Sequence, residues 1–225
     1  MSDIWLTVDR NALQVPRPTG ALVNVDLSSG RLAVVVVDAQ RLFASPDGPF
    51  KNMRSGRLVA AIEELLEAAR AKNIPVIHSR YVLRADGTDA GLLAASPDLD
   101  LSLFSADSEW SAVDGRITVG ADDLHSVHNR PSAFFGTDLD ALLHGLGVDR
   151  IVLAGLSLNN AVAATARDAF ARDIPVLIPR QAVDAAPFED DAAVRAGFRA
   201  LDRWTAEVAD LTAVVDRLPD RGGNE

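Results

Sequence analysis

The sequence contains no cysteine. Disulfides, thiolate metal sites and thiol nucleophiles are therefore excluded before any other residue is read. Positive charge is also scarce. Its 22 lysines and arginines face 32 aspartates and glutamates, leaving a formal net charge of -10. A chain of that sign repels phosphate backbones, and no block of Lys or Arg offsets it, so neither nucleic acid nor a membrane surface is an expected partner. No apolar run approaches the roughly 20 residues that a membrane span needs. The stretch Met1 to Gly20 lacks a basic start followed by an apolar core, so no signal peptide is expected and a cytoplasmic location is the expectation.

What is present is an ordinary globular composition, 48% hydrophobic and 24% charged over 225 residues, enough for one well-buried domain. Residues 1–30, with Pro16, Pro18, Gly20 and Gly30, read as an irregular N-terminal arm packed on the domain or on a partner subunit. The domain itself is expected over 31–218, and 219–225 as a flexible tail. Leu32 to Val37 is a continuous apolar, β-branched run, the pattern of a strand buried on both faces. Further strands are expected at Ile74 to His78, Ile117 to Val119, Leu124 to Val127, Ile151 to Ala154, Pro175 to Ile178 and Ala206 to Leu211. Helical spacing predicts helices at Arg57 to Lys72, Asp138 to Leu146, Asn160 to Arg172 and Pro187 to Arg203. Residues 81–115 are rich in Gly, Asp, Ser and Pro and read as a long, functional loop region. Strands alternating with helices predict a parallel sheet covered on both faces, with ligands at the carboxyl ends of its strands.

Three segments fall at such strand ends. Asp38 directly follows the first apolar run, where partial desolvation lifts a carboxyl toward useful acid–base range. By position alone it serves equally as a turn or helix cap. The second segment runs from Val127 through His128, Ser132 and Phe134 to Thr137. The third, Gly155 to Val162, ends a strand and leads into a helix, whose free N–H groups suit an oxyanion or carboxylate. Each has a purely architectural reading as well: a structural His, core aromatics, a plain strand-to-helix turn.

Together these segments resemble the isochorismatase-like (cysteine hydrolase) family from about residue 31 to about residue 210. Asp38 and Gln40 match its first motif, Ser132-Ala133-Phe134 with Gly136-Thr137 its second, and Gly155 with Asn159 its third. Pro46-Asp47-Gly48 and the stretch Ala164 to Phe170 are similar to it too. The resemblance implies an α/β fold, three-layer α/β/α with a mostly parallel, Rossmann-like central sheet. It also implies a homodimer or higher homo-oligomer. A non-proline cis peptide is common in the family's third motif, and the Ser157–Leu158 neighbourhood is where one is expected.

The departures are as informative. Ala161 stands at the position of the family's cysteine and His128 at that of its lysine. His78-Ser79-Arg80-Tyr81 lacks the metal-binding pattern of the nicotinamidase branch, so no catalytic metal and no cofactor are expected. Ala161 has no nucleophilic atom, so the thiolate amidase route is closed. Ser157 is a weak substitute, since no base lies at a helpful spacing. Isochorismatases of the phenazine and siderophore type also have a small residue at the cysteine position. They cleave a vinyl ether and release pyruvate, with the aspartate as general acid. The resemblance thus implies a cysteine-independent hydrolase of a small carboxylate-bearing molecule, with Asp38 as general acid and His128 assisting. His128 carries a conditional charge where the lysine's is permanent. Expected substrate-binding residues are Gln40, Phe43, Arg84 (for a substrate carboxylate), Trp110, Phe134, Ser157, Asn159 and Ala161. The alternative is a catalytically degenerate relative, acting as a binding or scaffold subunit.

Overall fold

A computed structural model describes residues 23–51 and 54–220. Six strands form one all-parallel sheet: β1 (Leu32–Val37), β2 (Val76–Tyr81), β3 (Leu124–His128), β4 (Arg150–Gly155), β5 (Val176–Pro179) and β6 (Glu207–Ala209). Their order is β3-β2-β1-β4-β5-β6. The chain therefore leaves β1 in one direction to build β2 and β3, and returns to its other side for β4. The crevice at that reversal, above the ends of β1 and β4, is where open parallel sheets place ligands.

The apolar run of β1 divides its side chains by the strand period of two. Leu32, Val34 and Val36 enter one core and Ala33, Val35 and Val37 the other, all at most 1% exposed. The first core is closed by α2 (Ser55–Ala71), through Leu58, Ile62, Leu65 and Leu66, and by α6 (Leu211–Arg217). The second is closed by α3 (Leu139–Gly145), α4 (Ala163–Phe170) and α5 (Asp191–Trp204). Alanines 163, 166 and 169 let α4 lie close on the sheet. A short helix α1 (Arg41–Ala44) follows β1. The α/β three-layer architecture expected from the sequence is the one observed. Among the described residues no helix is long and apolar enough to cross a membrane.

Several elements differ from the sequence reading. Ile117 to Val119 is not a strand: Thr118 gives its backbone N–H and its hydroxyl to Glu63 on α2, at 2.7 and 2.8 Å, instead of to a neighbouring strand. The expected helix at Asn160 opens as a π-turn over Leu158–Val162 before α4 begins. The expected helix at Pro187 starts only at Asp191. Asp190 caps it by accepting from the Ala193 N–H at 2.8 Å, which leaves Pro187, Phe188 and Glu189 outside the helix. Helix α6 was not anticipated; Leu211, read as the end of an edge strand, is its first residue. Of the N-terminal arm, residues 1–22 lie outside the described residues, while Val25 and Leu27 are buried in the first core. Of the tail, 221–225 lie outside them.

Candidate active site

The carboxyl ends of β1, β2, β3 and β4 converge on one cavity of about 710 Å³. Asp38, the first residue after β1, lines it and is 5% exposed. Its backbone is left-handed, φ 53°, an uncommon state for a residue with a Cβ. Two anchors hold it there. The Asp38 N–H donates to the Ser79 carbonyl at 2.9 Å, and the Tyr81 N–H donates to Asp38 Oδ1 at 2.9 Å. Tyr81 N–H is shared with Gln40 Oε1 at 2.7 Å. Gln40 Nε2 in turn donates to the carbonyls of Tyr81 and Ser111, each at 3.1 Å. Gln40 is fully buried, outside the cavity lining, and braces β2 against the loop at 111.

His128 ends β3 and is 1% exposed. Its Nε2 stands 3.0 Å from Asp38 Oδ1, off the line of a good hydrogen bond. Its Nδ1 lies 2.6 Å from the Arg130 carbonyl oxygen. A carbonyl only accepts, so Nδ1 carries a hydrogen. Nε2 is the nitrogen turned toward the Asp38 carboxyl. Burial pulls the His128 pKa down, but the Asp38 charge, the contact with that carboxyl and the bond to the Arg130 carbonyl outweigh it and hold the pKa above its ordinary value. Asp38 and His128 thus form a buried pair, 3.0 Å apart. Only Asp38 reaches the cavity.

The third strand end completes the crevice. Gly155 has φ +115°, and a Cβ there would sit 1.9 Å from the Val37 carbonyl oxygen. Glycine is required for β4 to press against β1 and for Leu156 N–H to bond that same oxygen at 2.9 Å. The cis peptide lies at Leu156–Ser157, one residue before the expected Ser157–Leu158 neighbourhood. Ser157 and Asn159 both line the cavity. Asn159 Nδ2 donates to Glu189 Oε1 at 2.7 Å, tying the turn to the segment ahead of α5. The Ser157 hydroxyl caps nothing, and no base partners it among the described residues.

The remaining expected residues divide. Phe43 lines the cavity, packed with Phe50 and Phe104 at ring distances of 6.3 Å each. Phe134 does not: it is buried in the second core beneath the Arg172 guanidinium, 4.7 Å from its ring. Trp110 is also elsewhere, stacked under Arg41 at 5.1 Å and outside the cavity lining. Arg84 is exposed and paired with Asp86 at 3.4 Å, away from the cavity. The arginine that does line it is Arg130, inside the second motif and not among the residues expected from the sequence. Ala161 is 1% exposed, belongs to the second core and is not among the residues lining the cavity.

The Isochorismatase domain family matches residues 32–213. The chain is 30% identical over 158 residues to the N-carbamoylsarcosine amidase of an Arthrobacter species, covering 68% of this chain but only 59% of that enzyme's length. It is 26% identical over 209 residues to the ureidoacrylate amidohydrolase of Azorhizobium caulinodans, covering 84% of this chain and 92% of the relative. Its fold is similar to the crystal structure of a cysteine hydrolase from Pseudomonas syringae pv. phaseolicola, with a TM-score of 0.81, 27% identity, and coverage of 91% of this chain and 98% of that one.

Proposed function

Because the chain belongs to the isochorismatase domain family, we propose that it is a hydrolase of a small carboxylate-bearing molecule that works by proton donation and without a nucleophile of its own. The observation that carries this reading is the Asp38–His128 pair at the base of the cavity. A thiolate route is closed, since residue 161 is alanine and the chain has no cysteine. Acid catalysis needs a buried proton donor, and His128, whose pKa the Asp38 charge helps hold above its ordinary value, keeps a proton beside the carboxyl that reaches the cavity.

For a vinyl ether, Asp38 delivers the pair's proton to the terminal enol carbon. The resulting oxocarbenium ion is attacked by water, whose proton returns to the pair. The hemiketal then collapses, breaking the carbon–oxygen bond to release an alcohol and pyruvate. A positioned acid contributes about 10²–10⁴-fold. The apolar walls of Phe43, Phe50 and Phe104 strengthen the effect by keeping bulk water from the cation. His128 acts through Asp38: it holds the proton and orients the carboxyl without touching the ligand.

The competing reading is a binding or scaffold protein that has lost catalysis. It is favoured by the burial of both residue 128 and residue 161 outside the cavity lining. A paired product assay decides between them. Pyruvate release from enolpyruvyl ethers that carry a single carboxylate on an apolar body, abolished in Asp38→Asn, establishes the hydrolase. Ammonia release from ureides and amides would instead require a route through Ser157. Silence in both arms across pH supports the binding protein.

A further inference from the structure

We infer that Arg130 is the anion anchor of this cavity, and that its ligand is a monocarboxylate with an apolar body. The inference rests on the proposed hydrolase reading only for the identity of the site; it concerns what the site holds, and stands whether or not turnover follows.

The cavity's charged lining consists of Asp38, Glu189 and Arg130 among the described residues. Glu189 is engaged, accepting from Asn159 Nδ2 at 2.7 Å and from the Ala186 N–H at 2.9 Å. Arg130 has no carboxylate within ion-pair distance among the described residues. Its hydrogen bonds go to main-chain carbonyls, through Nη1, to Asp89 at 2.9 Å and Asn129 at 2.5 Å. The rest of the guanidinium fork is free to meet a ligand. A half-buried arginine satisfied on one nitrogen and open on the other is preorganised for a bidentate carboxylate.

The surroundings are built around that side chain. Gly91, at φ +58°, lies so near that a Cβ would come within 2.7 Å of Arg130 Nη2. Asp89 fixes the loop from both sides, accepting from the Arg84 N–H and from Asn129 Nδ2 at 2.9 Å each. Tyr81 Oη donates to the Asn129 carbonyl at 3.0 Å, locking the strand end beneath. The Arg130 carbonyl is the group His128 Nδ1 binds, so one residue joins the anion site to the proton pair. Away from Arg130 the wall is apolar, formed by Phe43, Phe50, Leu93, Leu99 and Phe104. A second carboxylate on the ligand would meet the acidic Asp38 or Glu189, or this apolar wall. A single carboxylate held by Arg130 leaves the hydrocarbon body to the apolar wall.

The test is calorimetric titration of the full-length protein with phenylacetate and with 2-phenylethanol, which has the same body and no charge. The expected result is a preference for phenylacetate of about tenfold or more. It should be erased in Arg130→Gln, partly kept in Arg130→Lys and unchanged in Arg84→Gln. Equal affinity for the two probes, a preference that survives Arg130→Gln, one that disappears in Arg84→Gln, or no binding of either at millimolar concentration would overturn the proposal. Should the Arg130 variants not fold, the unaltered protein gives the answer. Phenylacetate, and not phenylethanol, should protect Arg130 from phenylglyoxal modification in peptide mass mapping, and modification undiminished by phenylacetate also overturns it. The product assay run beside the titration on the unaltered protein separates the two readings: no turnover with the carboxylate preference intact fails only the hydrolase, and turnover that is abolished in Asp38→Asn but comes with no carboxylate preference fails only the anchor.

Discussion

Gly155 and Val37 approach so closely that a single methyl group on the glycine would overlap the Val37 carbonyl oxygen, at 1.9 Å. That oxygen also receives the Leu156 N–H. Contact between these two strand ends sets the depth of the crevice, because Asp38 follows one and Ser157 the other. Gly155→Ala should therefore destabilise the protein by about 3 kcal/mol or more, combining overpacking with a backbone state reserved for glycine. Chemical denaturation measures it, and an unchanged midpoint would show that β4 can withdraw from β1 at little cost.

Asp38→Asn keeps the shape of the side chain and removes its proton donor. Enol-ether cleavage should fall by at least about 10²-fold with phenylacetate binding retained. Stopped-flow detection of pyruvate, alongside the titration, checks both halves. Turnover at the unaltered rate would remove Asp38 from the chemistry.

His128→Gln tests the partner. Glutamine preserves a donor toward the Arg130 carbonyl but cannot store a proton. The alkaline limb of the pH–rate profile should move to lower pH, because the pair's last proton is lost sooner once the imidazole is gone. A limb that stays in place would make His128 a packing residue only.

Two buried histidines give opposite pH dependences to stability. The folded-state pKa of His128 is raised, so its contribution is complete below about pH 6.5 and is lost as pH rises through the folded value. For His78, burial lowers the pKa more than its 2.9 Å contact with Asp123 raises it. Its contribution is complete above about pH 6.5 and is lost as pH falls. Denaturation midpoints followed over pH should lose steepness on the alkaline side in His128→Gln and on the acid side in His78→Gln. Parallel curves for all three proteins would contradict both assignments.

Asp190→Ala removes the cap of α5 and should cost about 1 kcal/mol. Because Pro187 to Glu189 lead directly into that cap and line the cavity, ligand affinity should weaken along with thermal stability. Loss of stability with affinity intact would show that the segment is held by Asn159 alone.

The sheet was legible because β1, β4 and β5 are buried on both faces and read as continuous apolar runs. Asp38 and Gly155 could be placed because each ends such a run. The walls were not legible in the same way. Nothing local distinguishes Arg84 from Arg130: both follow strand ends by a few residues. What turns Arg130 inward is Asp89, 41 residues away, together with the open backbone of Gly91. Phe134 and Trp110 lie outside the cavity lining: Phe134 turns into the second core, and Trp110 sits in a short turn of the 81–115 loop against Arg41. Helix α6 did carry a signal, in the helical spacing of Leu211, Val214, Val215 and Leu218. It was obscured because the strand before it is only three residues long.

Ala161 has a consequence for the conditions this protein tolerates. Where a relative keeps a reactive sulfur at the head of the helix after β4, its working state is hostage to peroxide, heavy-metal ions and alkylating agents, all of which attack thiolates. Here that position is a methyl group sealed in the core, and the chemistry proposed runs on oxygen and nitrogen alone. An oxidant or alkylating agent that acts by attacking a thiolate finds none to attack at this site.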